Sequence, residues 1–151
     1  MAQDSQVIDI GARYHVQHSA FDSLPFADKD MTYDLGYEIH DENGMIQAIC
    51  GFTPWFSNHD EYDFGITPEV NLLFVDGYFQ GGLGVLSTYT QGAGRHDWMD
   101  LYWQWVLGLN VPIGKSFSIQ ANAYYVFESW RTLHDFDVGD IEFGAYLGYK
   151  F

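Results

Sequence analysis

Residues 141–151 read Ile-Glu-Phe-Gly-Ala-Tyr-Leu-Gly-Tyr-Lys-Phe, in which apolar side chains alternate with polar or small ones. Successive side chains of a β-strand point to opposite faces, so this stretch carries one wholly apolar face. No later segment of the sequence is left to cover that face. We therefore expect the final strand of a β-barrel that spans a membrane.

Seven earlier segments alternate in the same way, each near the roughly 10 residues that a tilted membrane strand requires. They cover residues 8–16, 31–40, 46–53, 64–74, 79–89, 99–109 and 117–127. The predicted fold is all-β: a closed antiparallel eight-stranded transmembrane β-barrel with an up-and-down meander. The length favours a single domain over residues 1–151.

Alternation alone also fits a soluble barrel with an apolar interior. An eight-stranded barrel is only just wide enough for its own side chains, and the apolar face, which includes Trp103 and Trp105, is too bulky to fit inside. The opposite face is rich in glycine and hydrogen-bonding residues, which suit a narrow polar interior. We therefore expect the apolar face of the strands to contact lipid.

Composition and connection lengths agree with this interpretation. Aromatic residues make up 19% of the chain, as two interfacial girdles require, and no run approaches the roughly 18 apolar residues of a membrane helix. Long connections over residues 18–30, 57–62, 91–97 and 130–140 alternate with short turns over 41–44, 75–77 and 112–116. Such alternation predicts long loops outside the cell and both termini in the periplasm.

The stretch Asp137-Val138-Gly139 and the closing Gly148-Tyr149-Lys150-Phe151 resemble the end of OmpX/Ail-type outer-membrane proteins, whose last strand typically closes Gly-Tyr-Arg-Phe. Elsewhere the likeness is one of length and strand count, which the OmpA transmembrane domain and OmpW-like proteins share. The resemblance implies a non-enzymatic role in envelope integrity, surface adhesion or recognition, in contact with outer-membrane lipid and lipopolysaccharide. The same likeness makes Tyr149 and Phe151 a candidate insertion signal for the barrel-assembly machinery, or simply lipid-facing girdle residues.

Residues 1–4 lack the basic and apolar regions of a signal peptide, so we expect a mature bacterial outer-membrane sequence with an added initiator Met. The single Cys50 excludes an internal disulfide and falls on the lipid face. A net charge of -15 argues against a nucleic-acid partner. We expect a monomer without a cofactor.

Charged residues also fall on the inward face of the predicted strands. A buried Arg13 needs carboxylate partners, because an unpaired buried charge is costly. The predicted partners are Glu69 and either Glu38 or Glu142. A structural network is one interpretation, and a narrow barrel that binds or conducts cations is the alternative.

The predicted outer loops are acidic and match no calcium-binding spacing, so we interpret their carboxylates as solvated, with no metal site. Four apolar loop residues are candidate exposed contacts for an extracellular partner: Phe21, Leu24, Phe26 and Trp130.

Some small outer-membrane barrels modify lipid A, so catalysis is a second alternative. Three loop groups combine a hydroxyl with a histidine: Ser129 with His134 and Asp135, Ser19 with His18, and Ser57 with His59. None reproduces the His-x-Ser-Asn pattern of the lipid A deacylases. The sequence therefore favours no enzymatic activity.

Overall fold

A computed structural model describes residues 5–18 and 23–151. Its strands are β1 Ser5–Tyr14, β2 Met31–His40, β3 Gly44–Thr53, β4 Phe64–Asp76, β5 Phe79–Leu86, β6 Tyr89–Gly92, β7 Arg95–Trp98, β8 Tyr102–Ile113, β9 Phe117–Phe127 and β10 Ile141–Lys150. Two short 3-10 helices, Trp130–Asp135 and Val138–Asp140, connect β9 to β10. Among the described residues, no helix is long and apolar enough to cross a membrane.

The sheet closes on itself. All strand pairs are antiparallel, and β1 pairs with β10 over eight positions from Val7 opposite Lys150 to Tyr14 opposite Phe143. Strands β5 and β6 together form the fifth wall segment of the barrel, and β7 and β8 form the sixth. The predicted eight-stranded antiparallel barrel is therefore confirmed.

The segment over residues 91–97, expected to be a loop, is instead the tip of a hairpin. Strand β6 pairs with the start of β4, and β7 pairs with β6. Gly94 supplies the positive φ of 76° that the tight turn between them requires. The wall therefore extends upward as a two-stranded ribbon at this point.

The two faces of the wall differ sharply. Outward side chains are apolar and exposed, with Leu72 at 60% and Leu107 at 68%. Inward side chains such as Glu38 and Gln104 are completely buried. The alternating pattern of the sequence thus becomes an apolar outer surface around a polar interior.

Candidate functional site: the polar interior and the outer rim

Arg13 is the centre of the hydrogen-bonded interior. Its Nε donates to Glu142 Oε2 at 2.6 Å, and its Nη1 donates to Glu69 Oε2 at 3.1 Å and to Gln104 Oε1 at 3.0 Å. The guanidinium carbon lies 4.0 Å from the centre of the Tyr124 ring. Two carboxylates and an aromatic face therefore surround a buried cation, which is the environment that guanidinium groups favour.

Glu142 collects two histidines as well. His15 Nδ1 lies 3.0 Å and His18 Nε2 lies 3.1 Å from its Oε1 atom. The other nitrogen of His15 is 2.6 Å from Thr32 Oγ1. Because the loop that follows β1 provides both imidazoles, this carboxylate ties the loop to the interior of the barrel.

Glu38 lies in a separate cluster nearer the short turns that follow β2, β4 and β8. Its Oε1 accepts hydrogen bonds from Gln47 Nε2 and Gln120 Nε2, both at 2.8 Å, and its Oε2 lies 2.7 Å from His40 Nε2. The sequence offered Glu38 or Glu142 as the second partner of Arg13, and the structure brings Glu142 to it. The carboxylate of Glu38 instead has Gln47, Gln120 and His40 as its hydrogen-bond partners.

Amide side chains connect the two clusters. Asn71 Nδ2 donates to Gln47 Oε1 at 3.0 Å and to Glu69 Oε1 at 2.9 Å, while Gln104 Nε2 donates to Asn71 Oδ1 at 2.8 Å.

Two other inward carboxylates lie outside this amide bridge. Both carboxylate oxygens of Asp9 are buried and lack a hydrogen-bond partner among the described residues. A second chain runs from the Tyr124 hydroxyl to the Tyr146 hydroxyl at 2.8 Å and on to Asp34 at 2.9 Å.

An apolar cap lies between this network and the end of the barrel that carries the long connections. Its buried members are Leu24, Phe26, Phe56, Leu86, Tyr102 and Val126. The Phe26 ring stacks on His15 with 3.7 Å between ring centres. The cavity between cap and network measures about 10 Å³, which leaves room for about one water molecule.

This cap corrects an expectation about the first loop. Leu24 and Phe26 were expected to be exposed contact residues, but they are 6% and 5% exposed. The loop turns into the mouth of the barrel, where burial against other apolar side chains stabilises it. Phe21 lies outside the described residues, and Trp130 is half exposed.

The first loop is also held by a buried carboxylate. Asp30 Oδ2 accepts from the Ala27 backbone N–H at 2.9 Å, and Asp30 Oδ1 accepts from the Ser57 backbone N–H at 3.1 Å and from the Ser57 hydroxyl. Asp30 is completely buried. The interpretation of the loop carboxylates as uniformly solvated is therefore wrong for this residue.

The hydroxyl–histidine groups take other partners. The Ser57 hydroxyl donates to Asp30, while His59 Nδ1 lies 2.9 Å from Glu61 Oε1. The Glu61 pKa is lowered by the hydrogen bond from His59.

In the last outer connection, His134 Nε2 lies 3.3 Å from Asp135 Oδ1, with both side chains exposed. The Ser129 hydroxyl contacts neither of them within the described part of the chain. Ser19 lies outside the described residues.

The outer rim of the wall has an aromatic cluster that sequence reasoning missed. Tyr125 and Phe127 share the parity of the lipid-facing side chains of β9, yet they are buried, because the connection over residues 128–140 folds against the outside of the wall. Spacing along one strand cannot reveal such a cover. The only sequence signal is the pair of aromatic residues, Trp130 and Phe136, in the connection itself.

The candidate insertion residues lie at the end of β10 that is beside the short turn between β8 and β9. Tyr149 and Phe151 are 48% and 61% exposed, and the Tyr149 ring packs 5.3 Å from the Phe117 ring. The Phe151 backbone N–H donates to the Gln6 carbonyl at 3.2 Å. Both aromatic rings are thus available at the outer surface.

Comparison with known proteins shows the fold. No protein-family model and no curated protein matches the sequence. The structure of Neisserial surface protein A is 10% identical, covers 98% of this chain and 96% of its own, and superposes with a TM-score of 0.58. The Yersinia pestis outer membrane protein Ail in a phospholipid bilayer nanodisc is 16% identical, covers 99% and 100%, and has a TM-score of 0.53. The chain thus has the architecture of Ail-type outer-membrane barrels, as the resemblance at its last strand implies.

Proposed function

We propose that this chain is a bacterial outer-membrane barrel that spans the bilayer as one domain and serves envelope structure and surface recognition without catalysis. One observation carries the proposal: the exposed band of outward apolar side chains surrounds a buried polar interior. A continuous apolar surface of this kind is costly in water and is stable in lipid.

Refolding with and without lipid tests the membrane assignment. We expect protein diluted from urea into dimyristoylphosphatidylcholine vesicles to gain β-sheet circular dichroism and resist protease. The same dilution into plain buffer is expected to give aggregates. A monodisperse folded protein in buffer alone would contradict the proposal.

The interior of the barrel is proposed to be filled and non-conducting. Its support is the hydrogen-bonded chain from His15 to Glu38 and the small volume left below the apolar cap. We expect planar bilayers containing the protein to stay at baseline conductance. Reproducible cation-selective steps would favour the alternative, a narrow cation-conducting barrel.

The extracellular hairpin is the surface best suited to recognition. All four residues of β7, Arg95–Trp98, are exposed, and β7 pairs only with β6 among the described residues. An unpaired strand edge can accept an extended segment of another protein by backbone hydrogen bonds. We propose that an extracellular partner docks along this edge.

Shortening the hairpin tests that role. Deleting residues 91–96 removes the tip of the hairpin and half of β7, the strand that carries the free edge. We expect cells that display the shortened protein to lose binding to host cells or matrix proteins. Equal surface display of both forms is the control, and unchanged binding would return the role to envelope structure alone.

Two further partners belong to the same proposal. The protein is surrounded, as a monomer, by outer-membrane lipid and lipopolysaccharide. The barrel-assembly machinery recognises Tyr149 and Phe151, whose rings project from the outer surface at the end of the last strand.

The absence of catalysis is also part of the proposal. Its support is the divergence of the hydroxyl and imidazole groups, since Ser57 and His59 bond to different carboxylates. We expect Ser129→Ala with His134→Ala to leave the lipid A mass spectrum of expressing cells unchanged. A changed acylation pattern would favour a lipid A-modifying enzyme.

A further inference from the structure

The outward face of β9 changes character along its length. Near the periplasmic end, Phe117 and Ile119 are each 49% exposed, as expected for side chains in contact with lipid. Near the extracellular end, Tyr125 and Phe127 on the same face are 7% and 2% exposed. Something on the outside of the barrel covers the upper part of this strand.

The cover is the connection over residues 128–140. The Trp130 ring centre lies 5.1 Å from Phe127, 5.5 Å from Trp103 and 5.9 Å from Trp105. Further along, Phe136 lies 4.6 Å from Tyr125. The connection therefore folds down along the outside of β8 and β9 and adds a second layer to the wall.

This second layer carries exposed apolar side chains of its own. Trp130, Phe136 and Val138 are 48%, 53% and 70% exposed, although each belongs to a connection at the extracellular end. In a 3-10 helix, residues three apart are aligned, which places Leu133 beside Trp130 on one stripe. We call these four residues, Trp130, Leu133, Phe136 and Val138, the aromatic shelf.

The hydrogen bonds and the polar side chains of this connection suit a position at the boundary between lipid headgroups and acyl chains. The Thr132 backbone N–H and hydroxyl donate to the Ser129 carbonyl at 3.0 and 2.8 Å, so the first turn has internal partners. The exposed polar side chains Arg131 and His134 need water or headgroups. An aromatic layer with a polar side is typical of membrane interfaces.

We propose that the aromatic shelf lies on the acyl chains of the outer leaflet and anchors the extracellular rim of the barrel in the bilayer. The shelf contacts an outward side chain of the wall, since Trp130 lies 5.9 Å from Trp105, which is 44% exposed. The connection carries more acidic than basic residues, so burial of aromatic area, not attraction to anionic headgroups, holds it there. This inference rests on the proposed membrane assignment.

Spin labels on single cysteines distinguish the shelf from the membrane assignment. Native Cys50 lies exposed on the outward face of β3 and serves as the bilayer reference. The test position is Val138→Cys in a Cys50→Ser background, with Phe136→Cys as a second position. Ala93→Cys at the exposed hairpin tip is the matched water reference. All labels are measured in dimyristoylphosphatidylcholine nanodiscs.

Collision with oxygen, which concentrates in lipid, is compared with collision with a nickel chelate, which stays in water. We expect labels at 138 and 136 to favour oxygen as at Cys50, and the label at 93 to favour nickel. A nickel-favouring result at 138 and 136, with Cys50 still favouring oxygen, overturns the shelf and leaves this surface to a soluble partner. A nickel-favouring result at Cys50 overturns the membrane assignment itself.

Discussion

Arg13 Nε donates a 2.6 Å hydrogen bond to Glu142 Oε2 across the seam where the first strand pairs with the last. The two residues are 129 positions apart in the chain and are both almost completely buried. Arg13 lies opposite Gly144 in the strand register, and Glu142 lies two residues before Gly144 along β10. The ion pair therefore joins the two ends of the sheet from inside.

Removing the cation leaves two buried carboxylates without their partner. We expect Arg13→Met to lower the free energy of unfolding in lipid vesicles by about 3–5 kcal/mol, measured by urea titration and circular dichroism. Arg95→Met in the exposed hairpin is the control and is expected to change it by less than about 0.5 kcal/mol. Adding Glu69→Gln and Glu142→Gln to Arg13→Met should recover most of the loss. A change below about 1 kcal/mol for Arg13→Met alone would contradict this account.

The apolar cap depends on Phe26. We expect Phe26→Ala to destabilise the protein by about 3–5 kcal/mol, because it removes a buried ring and leaves a cavity above His15. Trp98→Ala removes a larger but exposed ring and should cost less than about 0.5 kcal/mol. Equal effects of the two substitutions would show that the first loop does not pack into the mouth.

Close approach of the neighbouring strand β4 leaves no room for a side chain at Gly82. A Cβ atom at Gly82 would overlap the backbone carbonyl oxygen of Leu72, which cannot move without shifting β4. We expect Gly82→Ala to cost about 1–3 kcal/mol in the same urea titration. Gly44→Ala, whose nearest neighbour would be the Leu73 carbonyl oxygen at 3.6 Å, is the matched control and should be tolerated.

The His59–Glu61 pair predicts a pH effect in an outer loop. The hydrogen bond from His59 favours the carboxylate and lowers the Glu61 pKa from its ordinary value of 4.5. Because the Glu61 pKa is lower in the folded protein than in the unfolded protein, the ionised carboxylate stabilises the folded loop at pH values above 4.5. This stabilisation is lost as the pH falls through the lowered pKa of the folded state. Carboxyl ¹³C shifts should show a Glu61 midpoint below 4.5, and His59→Ala should return it upward. An unchanged midpoint would exclude the contact.

A substitution at Phe151 distinguishes a role in recognition by the barrel-assembly machinery from a role in the stability of the folded barrel. Its ring is mostly exposed, so we expect Phe151→Ala to change the stability of refolded protein by less than about 0.5 kcal/mol. We expect the amount of folded protein in the outer membrane of expressing cells to fall several-fold. Leu147→Ala, another outward residue of β10, is the control. Equal assembly of both variants would support the girdle interpretation.

The conformations of the connections between strands could not be predicted from the local sequence pattern alone. The expected loop over 91–97 is a hairpin, because the start of β4 offers β6 a pairing edge that lies far away in sequence. The Asn43-Gly44 turn forms without a positive φ at either residue, unlike the turns at Gly77 and Gly114. Local sequence identifies a turn, whereas its conformation depends on the register of the strands around it.

The interior shows the same division. Parity along β1 and β4 predicted that Arg13 and Glu69 both point inward, and the structure places them 3.1 Å apart. Parity left Glu38 and Glu142 as equivalent choices, since both share the inward face. The closure of β1 on β10 gives Glu142 to the guanidinium, and the amides of Gln47 and Gln120 occupy Glu38.

The sequence by itself determined the barrel, because a period of two in hydrophobicity sorts every side chain of a strand to one of two faces without reference to any other strand. Only the tertiary structure decided how the long connections pack at one end of the barrel: Leu24 and Phe26 turn inward over the network, and Trp130 folds outward over Phe127. The physical reason is that loops have no period. Whether an aromatic loop residue faces water, lipid or the interior depends on which uncovered apolar surface lies within its reach.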